Sequence, residues 1–321
     1  MTNYFRAFII YYICFWIIPK YDGESFGELV VDYGFRIICQ YQDYYRMLNL
    51  YKYLYDQDSG VMKMPEIISI CIVAYHNYDE ILDAIESIER YTDKNLSKKI
   101  YIVDNDGNAD DGSFKKTLGK YKDICYIDSG ANVGFGKGHN MILNELNSKY
   151  HAIVNPDILL IEDAFTPIIE FMNSHKKVGM VVPRIVDESG ALQEVYRKEL
   201  TIFDMFIRMF CRELFPKRIA NHTLQDKDYT KPFQVPFAQG SFLIVRTELL
   251  KELEGFDNRF FMYVEDADLC RRINLVSKLV YFPGATVIHK WKKESHRNKN
   301  LFKYHTESMK YYFLKWGVKW I

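Results

Sequence analysis

The chain has 321 residues, enough for one large α/β domain with additional segments at its ends. Lys and Arg together number 42, as do Asp and Glu. The chain therefore lacks the overall positive field of a nucleic-acid-binding protein, and no nucleic acid is expected among its partners. The six cysteines show neither a C-x-x-C pair nor zinc-site spacing, which favours reduced thiols and a cytoplasmic location.

Residues 1–64 are rich in aromatic side chains, and we predict that they form a helical N-terminal extension. The apolar stretch at residues 4–18 is shorter than the roughly 20 residues that a membrane-spanning helix needs. Pro19 and Lys20 follow it instead of the small residues of a signal-peptide cleavage site, so secretion is not expected. A buried helix and a helix at a membrane interface remain open alternatives for this stretch.

Strands and helices are expected to alternate from Pro65 onwards. Short apolar runs at residues 67–73, 100–103, 124–127 and 151–154 are typical of strands buried on both faces, and helical spacing at 81–88, 114–121 and 141–146 separates them. This order predicts parallel β-α-β units within a catalytic domain at residues 65–295. Ligands of such sheets bind beyond the carboxyl ends of the strands.

The candidate ligand-binding residues follow these four strands. They are Ala74, Tyr75 and Asn77 after the first, Asp104 and Asn105 after the second, Asn132, Gly134 and Lys137 after the third, and Asn155 and Asp157 after the fourth. A carboxylate fixed at a strand end, such as Asp104, can accept a hydrogen bond from a pyrimidine N–H. The glycines allow close backbone approach, and one carboxylate can hold Mg²⁺ or Mn²⁺ when a diphosphate supplies the other oxygens.

Two other nucleotide-binding patterns are missing. No G-x-x-x-x-G-K-[ST] motif occurs, which excludes a P-loop. A dinucleotide-binding fold needs its glycines directly after the first strand, where this chain has Ala74 and Tyr75. A nicotinamide-dependent dehydrogenase is therefore disfavoured.

Three carboxylates open a later predicted helix: Glu265, Asp266 and Asp268. Glu265 and Asp266 are expected near its N-terminus, where the helix dipole favours negative charge, whereas Asp268 and Arg272 have the i,i+4 spacing of a structural ion pair. Aromatic and apolar neighbours before Glu265 indicate a pocket wall that would keep a general base desolvated.

These motifs together resemble the family 2 glycosyltransferases, and in particular their bacterial rhamnosyltransferase-like branch. The resemblance extends from Ile67 to His289. The matching pieces, in order, are Ala74-Tyr75-His76-Asn77, Val103-Asp104-Asn105, Asn132-Val133-Gly134-Phe135-Gly136, Asn155-Pro156-Asp157, Gly255-Phe256-Asp257, Glu265-Asp266-x-Asp268-Leu269 and His289.

The resemblance implies a GT-A fold in which Asp104 holds the nucleobase and Asp266, next to Glu265, is the general base. It further implies that Asp157 and His289 bind a divalent metal, Mn²⁺ or Mg²⁺, although Asn155 replaces the first acid of the usual D-x-D. Gln239, Gly240 and Trp291 are candidates for the acceptor or sugar pocket.

The expected function is inverting transfer of a sugar, rhamnose being one candidate, from a nucleoside-diphosphate sugar to a glycan or lipid-linked acceptor in cell-surface polysaccharide synthesis. Two alternatives remain: a nucleotidyltransferase, which would release pyrophosphate, and a non-catalytic membrane-associated binding protein with the same fold.

The last segment, residues 296–321, is predicted to be a basic aromatic helix. From His289 onwards the chain carries nine Lys or Arg residues against two Glu. Such a mixture suits a helix in the headgroup region of an anionic membrane, which would place the enzyme at the inner face of the cell membrane. The alternative is a helix packed on the catalytic domain.

Overall fold

In the computed structural model, which describes residues 67–106, 112–290 and 299–320, a nine-stranded sheet runs through the domain. The strands are β1 (Ile68–Ala74), β2 (Lys98–Asp104), β3 (Ile124–Asp128), β4 (Tyr150–Val154), β5 (Ile158–Leu160), β6 (Val178–Val186), β7 (Tyr196–Arg197), β8 (Phe233–Gln234), β9 (Phe237–Ala238), β10 (Phe242–Arg246) and β11 (Lys278–His289). Their order in the sheet is β3-β2-β1-β4-β10-β6-β11-β5, with β8 beside β11; β7 and β9 form a separate pair.

The first half of the sheet is parallel. β1 pairs with β2 and β4, and β2 pairs with β3, all in parallel register. All seven residues of β1 are buried, because helices cover both faces of a parallel sheet. Beyond β4, strand β10 runs antiparallel, whereas β6 and β11 are again parallel to each other. The predicted α/β class with a mostly parallel central sheet is confirmed.

The helices are α1 (Tyr78–Tyr91), α2 (Ser113–Leu118), α3 (Phe135–Asn140), α4 (Phe165–Ser174), α5 (Ile202–Phe210), α6 (Pro216–His222), α7 (Thr247–Glu252), α8 (Glu265–Val276) and α9 (Lys299–Trp316). A short 3₁₀ helix at Arg212–Leu214 joins α5 to α6. In α1 the buried residues recur at helical spacing, Ile81, Ala84, Ile85 and Ile88, as the sequence pattern predicted.

The helix predicted at residues 141–146 was placed wrongly. The structure has a helix at Phe135–Asn140, and turns follow it. Glycines weaken isolated helices, so the Gly-rich sequence favoured a loop. The glycines serve packing instead: a Cβ on Gly136 would lie 2.9 Å from the Cβ of Phe256, and one on Gly138 would lie 3.0 Å from Val73.

The C-terminal helix α9 packs against the domain. Asp268, fully buried in α8, accepts hydrogen bonds from the indole N–H of Trp316 (2.8 Å) and from Arg272 (2.8 Å), and it pairs with Lys315 (2.6 Å). The structural Asp268–Arg272 pair expected from the sequence is therefore present, and it also anchors α9. Within the described ranges, no helix combines the length and apolar composition needed to cross a membrane.

Candidate active site

Asp104 lies fully buried at the carboxyl end of β2. Its carboxylate accepts hydrogen bonds from the hydroxyl groups of Tyr78 (3.1 Å) and Tyr126 (2.9 Å) and from the backbone N–H of Asp106 (2.9 Å). Burial, followed by the hydrogen bond to Asp104, raises the pKa of Tyr126, so the phenol remains a donor at neutral pH. The carboxylate is thus held in one orientation at the sheet edge.

The turn after β1 lies beside Asp104. The backbone N–H of Tyr75 donates to Asn77 Oδ1 (2.9 Å), and the Tyr75 side chain is exposed. His76 adopts a left-handed conformation with φ 59°, and its Nε2 lies 3.0 Å from Asp106 Oδ2. The turn therefore presents an aromatic ring next to the carboxylate predicted to hold the nucleobase.

Asn105 connects this edge to the glycine-rich loop. Its backbone N–H donates to the carbonyl oxygen of Ala74 (2.9 Å), and its side-chain amide donates to that of Gly134 (3.1 Å). Asn132 Oδ1 in turn accepts from the Gly134 N–H (3.0 Å). Position 134 requires glycine, because its φ is +87° and a Cβ there would overlap the Phe261 carbonyl oxygen.

Asp157 and His289 meet at the far end of the sheet, 3.3 Å apart between Oδ1 and Nε2. Gln193 fixes the imidazole: its Nε2 donates to the His289 carbonyl oxygen (2.7 Å), so its Oε1 faces His289 Nδ1 (2.9 Å). An amide oxygen only accepts, so we assign the proton to Nδ1. The Nε2 lone pair then faces the Asp157 carboxylate, and the resulting pair of acceptors fits a shared cation.

The remaining predicted positions differ in their surroundings. Asn155 has a buried Oδ1 without a hydrogen-bond partner in the described part of the chain, while its N–H donates to the Ser241 carbonyl oxygen (2.8 Å). Lys137 is exposed on α3. Trp291 lies outside the described residues.

Helix α8 begins with Glu265 and Asp266, as predicted. The two residues before it, Tyr263 and Val264, have φ values of 68° and 67°. This conformation is unfavourable for a β-branched residue such as Val264 and is typically maintained at functional sites. The Asp266 carboxylate accepts hydrogen bonds from the backbone N–H groups of Gly240 (3.0 Å) and Ala267 (2.8 Å).

The two carboxyl groups differ in electrostatic environment. Burial and then the charge of Asp266 raise the pKa of Glu265 well above its ordinary value, and Glu265 Oε2 has no hydrogen-bond partner among the described residues. Burial also raises the pKa of Asp266, but the Gly240 and Ala267 N–H groups and the charge of Arg197 oppose that rise. Of this coupled pair, Glu265 therefore retains its proton and Asp266 ionises first.

Gln239 and Gly240 border Asp266. A Cβ on Gly240 would lie 3.1 Å from the Asp266 Cβ, so only glycine brings the backbone this close without displacing the aspartate. Gln239 Oε1 accepts from Arg197 Nη2 at 3.5 Å, and Arg197 is buried beside Asp266. Two of the three residues predicted for the acceptor or sugar pocket, Gln239 and Gly240, thus lie close to the candidate base.

Sequence reasoning missed three polar residues of this site: Tyr126, Gln193 and Arg197. Tyr126 lies within β3 and Arg197 within the two-residue strand β7. Tyrosine is common in strands, and a lone arginine or glutamine outside a motif gives no signal. Tyr126 is placed here by its hydrogen bond to Asp104, Gln193 by its contact with His289, and Arg197 by the pairing of β7 with β9.

The described residues contain no cluster of three or more His, Cys, Asp or Glu side chains that could hold a metal ion by themselves. The Asp157–His289 pair supplies one carboxylate oxygen and one imidazole nitrogen. Divalent ions can be bound by one or two protein ligands when substrate phosphates complete the coordination.

Comparison with known proteins gives concordant results. The chain is 26% identical to the rhamnosyltransferase WbbL of Escherichia coli over 244 residues, 74% of this chain and 87% of the relative. It is 23% identical to the N-acetylglucosaminyl-diphospho-decaprenol L-rhamnosyltransferase of Mycobacterium tuberculosis over 240 residues, 70% and 76% of the two chains.

A solved structure supports the fold. The mannosyltransferase PcManGT from Pyrobaculum calidifontis, in complex with GDP-Man and Mn²⁺, superposes with a TM-score of 0.53 at 13% identity, and the match covers 77% of this chain and 65% of that one. The model of glycosyl transferase family 2 matches residues 69–254, more than half of the chain. The predicted GT-A fold and rhamnosyltransferase-like resemblance are confirmed, and the chain belongs to glycosyltransferase family 2.

Proposed function

We propose that this glycosyltransferase moves a hexosyl group, with rhamnose as the first candidate, from a nucleoside-diphosphate sugar to a hydroxyl of a lipid-linked or glycan acceptor in cell-surface polysaccharide synthesis. Asp266 carries the proposal, since it is a desolvated, oriented carboxylate at the start of α8. Rhamnose is proposed because both relatives are rhamnosyltransferases, and a lipid-linked acceptor because the second relative acts on a decaprenol-linked sugar.

The proposed reaction is a single inverting displacement. Asp266 accepts the proton of the acceptor hydroxyl, and the oxygen forms a bond to the anomeric carbon from the face opposite the diphosphate. The bond between that carbon and the diphosphate oxygen breaks, and the nucleoside diphosphate leaves with the electron pair. A positioned general base contributes about 10²–10⁴-fold to such a step.

On the donor side, Asp104 is proposed to accept the nucleobase N–H, with Tyr75 and Asn77 lining the base. Asn105 and Asn155 each have a buried Oδ1 with no hydrogen-bond partner among the described residues, and a hydroxyl or amine of the donor would satisfy these acceptors. These positions lie at strand ends on the parallel half of the sheet, where ligands of open α/β sheets bind.

Asp157 and His289 are proposed to hold a divalent ion, Mg²⁺ or Mn²⁺, together with oxygens of the donor diphosphate. This assignment is supported by the position of His289 Nε2, which faces Asp157 Oδ1 at a distance of 3.3 Å. When bound, the ion would offset the negative charge that grows on the leaving diphosphate. Gln193 would keep the imidazole in the tautomer that presents Nε2.

The enzyme is further proposed to contact an anionic membrane at the cytoplasmic face through its C-terminal segment. Leu314, Val318 and Trp320 are exposed there. Lys315 and Lys319 form ion pairs with carboxylates of the domain. Their charges are therefore partly neutralised, and the exposed apolar side chains should contribute more to membrane binding than the basic composition of the segment suggests. Truncation after Ser295 should reduce co-sedimentation with anionic liposomes at low salt; binding that is unchanged by truncation would refute the contact.

Product analysis tests the reaction class. Incubation with a panel of nucleotide sugars and Mn²⁺ should release nucleoside diphosphate, first slowly by donor hydrolysis and faster with an acceptor. Release of pyrophosphate would instead indicate a nucleotidyltransferase, and the absence of any donor turnover would indicate a binding protein.

A further inference from the structure

The residues that precede the candidate base have an unusual backbone. Tyr263 and Val264 both lie in the left-handed region, which is unfavourable for residues other than glycine. Val264 occupies the N-cap position of α8, where a Ser, Thr, Asp or Asn side chain commonly accepts from a free N–H group, and it provides no such hydrogen bond. The start of α8, which carries Asp266, is therefore not determined by its local sequence.

Helix α9 contacts each of the four residues 260–263. The hydroxyl of Ser308, which is only 5% exposed, donates to the Met262 carbonyl oxygen at 2.8 Å. The other three residues each pack against a ring of α9, with centroid distances of 4.8 Å for Phe260–Tyr311, 4.5 Å for Phe261–Tyr304 and 5.2 Å for Tyr263–His305. Positions 304, 305, 308 and 311 share one face of a helix, so a single face of α9 holds the whole segment.

The same segment also contacts the glycine-rich loop. The Phe135 N–H donates to the Phe261 carbonyl oxygen at 3.2 Å. The Phe135 ring in turn approaches Gly240, since a Cβ added to that glycine would lie 3.7 Å from it. The Gly240 N–H donates to Asp266 Oδ2 at 3.0 Å. Residues 260–263 thus lie between α9 and the groups that orient the candidate base.

Helix α9 is also held at its other end, independently of this segment. Lys315 pairs with Asp257 at 2.7 Å, and the Trp316 indole N–H donates to Asp268 at 2.8 Å. Both contacts lie about two helical turns beyond Ser308. Loss of the Ser308 hydrogen bond should therefore leave α9 in place and release only residues 260–263.

We propose that Ser308 is a positioning residue for the transfer reaction: through Met262 it maintains the left-handed segment and thereby keeps Asp266 against the Gly240 N–H. The inference rests on the proposed function, in which Asp266 is the general base. Without the Ser308 hydroxyl, the Met262 carbonyl oxygen loses its donor, and the backbone at Tyr263 and Val264 relaxes. The start of α8 then shifts, and a displaced base accepts the acceptor proton more slowly.

The displacement should also change the proton affinity of Asp266. The charged and titratable groups around its carboxylate are Glu265 and Cys270 on α8 and Arg197 on β7. Burial raises the pKa of Asp266, and the Gly240 and Ala267 N–H groups oppose that rise. Lengthening the Gly240 hydrogen bond weakens this opposition, so the pKa of Asp266 should rise further. Because the ionised carboxylate is the base, kcat/KM should then begin to fall at a higher pH than in the wild type.

Four variants of the full-length chain test this role. Ser308→Ala removes the hydroxyl, and Tyr304→Leu removes the ring that packs on Phe261. Thr306→Ala and Phe302→Leu are matched controls on the opposite face of α9: the Thr306 hydroxyl also donates to a backbone carbonyl oxygen, that of Phe302 at 2.9 Å, and the Phe302 ring is 47% exposed.

The kinetic assay is release of nucleoside diphosphate from the nucleotide sugar that the wild type hydrolyses fastest, with water as the acceptor. In both test variants kcat per folded molecule should fall about fivefold or more, and the decline of kcat/KM with decreasing pH should begin at a higher pH. In both controls kcat should stay within about twofold of the wild type and the pH profile should not move.

Hydrogen–deuterium exchange measures the same contacts without turnover. The N–H groups of Gly240 and Phe135 should exchange faster in Ser308→Ala than in the wild type, because their acceptors, Asp266 Oδ2 and the Phe261 carbonyl oxygen, move. Exchange in β1 should not change, and Thr306→Ala should affect neither N–H group. A serine with only a structural role would lower the melting temperature without altering the pH profile or the exchange at Gly240.

The assignment would be overturned by unchanged exchange at Gly240 in Ser308→Ala, by faster exchange with unchanged kcat, or by equal effects in the test and control variants. The proposed function is judged separately. If the wild type releases no nucleoside diphosphate from any nucleotide sugar, the transfer is refuted, and the exchange at Gly240 alone decides whether Ser308 positions Asp266.

Discussion

Replacing Asp266 by asparagine tests the central step of the proposed reaction. The amide has the shape of the carboxylate but cannot take the acceptor proton, so kcat should fall by about 10²–10⁴-fold, equivalent to about 2.7–5.4 kcal/mol in the activation free energy. Donor affinity should change little, because Asp266 lies on the Gln239–Gly240 side of the site rather than at Asp104.

The same substitution should also lower the stability of the fold, by an amount that the structure limits. Asp266 accepts from the N–H groups of Gly240 and Ala267 through different oxygens, and the asparagine can accept only one of these bonds. Loss of the other should reduce the free energy of unfolding by about 1–3 kcal/mol, the cost of an unsatisfied buried donor. Chemical denaturation measures this loss separately from the loss of turnover.

The assay is nucleoside-diphosphate release under saturating donor, with Glu265→Gln as the matched control. Glu265 is already protonated in the active state, so its amide should retain most of the activity. Because Asp266 must be ionised and burial raises its pKa above that of ordinary aspartate, kcat/KM should fall as the pH decreases through that raised pKa, in the wild type and in Glu265→Gln alike. More than a tenth of wild-type turnover in Asp266→Asn, or a greater loss in Glu265→Gln, would refute the assignment.

Three further predictions concern the metal, the glycine-rich loop and the C-terminal helix. Asp157→Ala should weaken Mn²⁺-dependent donor binding more than His289→Ala, as measured by calorimetry, since a carboxylate suits hard cations better; full activity in excess chelator would contradict the metal site. Gly190 also has a left-handed backbone, with φ +83°, but an added Cβ there would meet no described atom within 4 Å. Gly190→Ala should therefore destabilise the fold by about 1–2 kcal/mol for its backbone alone, and Gly134→Ala by about 1–3 kcal/mol more for the overlap with a carbonyl oxygen; equal denaturation midpoints would contradict that contact. Asp268→Ala should reduce the free energy of unfolding by about 3 kcal/mol, because it leaves the largely buried Arg272 without its carboxylate and the Trp316 indole N–H without its acceptor; wild-type stability in urea would argue against its anchoring role.

The positions of the residues proposed to bind the donor were largely predictable from the sequence, because these residues follow strands directly. A short apolar run marks a buried strand, and the parallel order then brings Asp104 and the other strand ends to one sheet edge. Asp104 and Asp157 could therefore be assigned to this sheet edge from their positions after strands, without any long-range information. The helix after β3 was placed wrongly because its position depends on long-range packing. Its glycines allow close contact with Phe256 and Val73, which local helix propensity does not reveal.

The surroundings of the proposed base Asp266 were less predictable, because they depend on contacts between distant segments. Arg197 reaches Asp266 only through the pairing of β7 with β9, which brings Tyr196 opposite Ala238. Neither two-residue strand has a hydrophobic alternation long enough to detect. The basic C-terminal segment shows the same limit, since composition could not reveal that Lys315 is paired with Asp268.

Sheet register explains how residues far apart in sequence form one site. The antiparallel pairing of β5 with β11 brings Ile158 opposite His289, and this register places the Asp157 carboxylate against the imidazole across 132 positions of chain. The segment from Gln193 to Arg197 then contacts His289 at one end and Gln239, beside Asp266, at the other. A displacement of this short segment would alter both the imidazole tautomer and the charge facing the base, so substitutions within it should affect donor binding and proton transfer together.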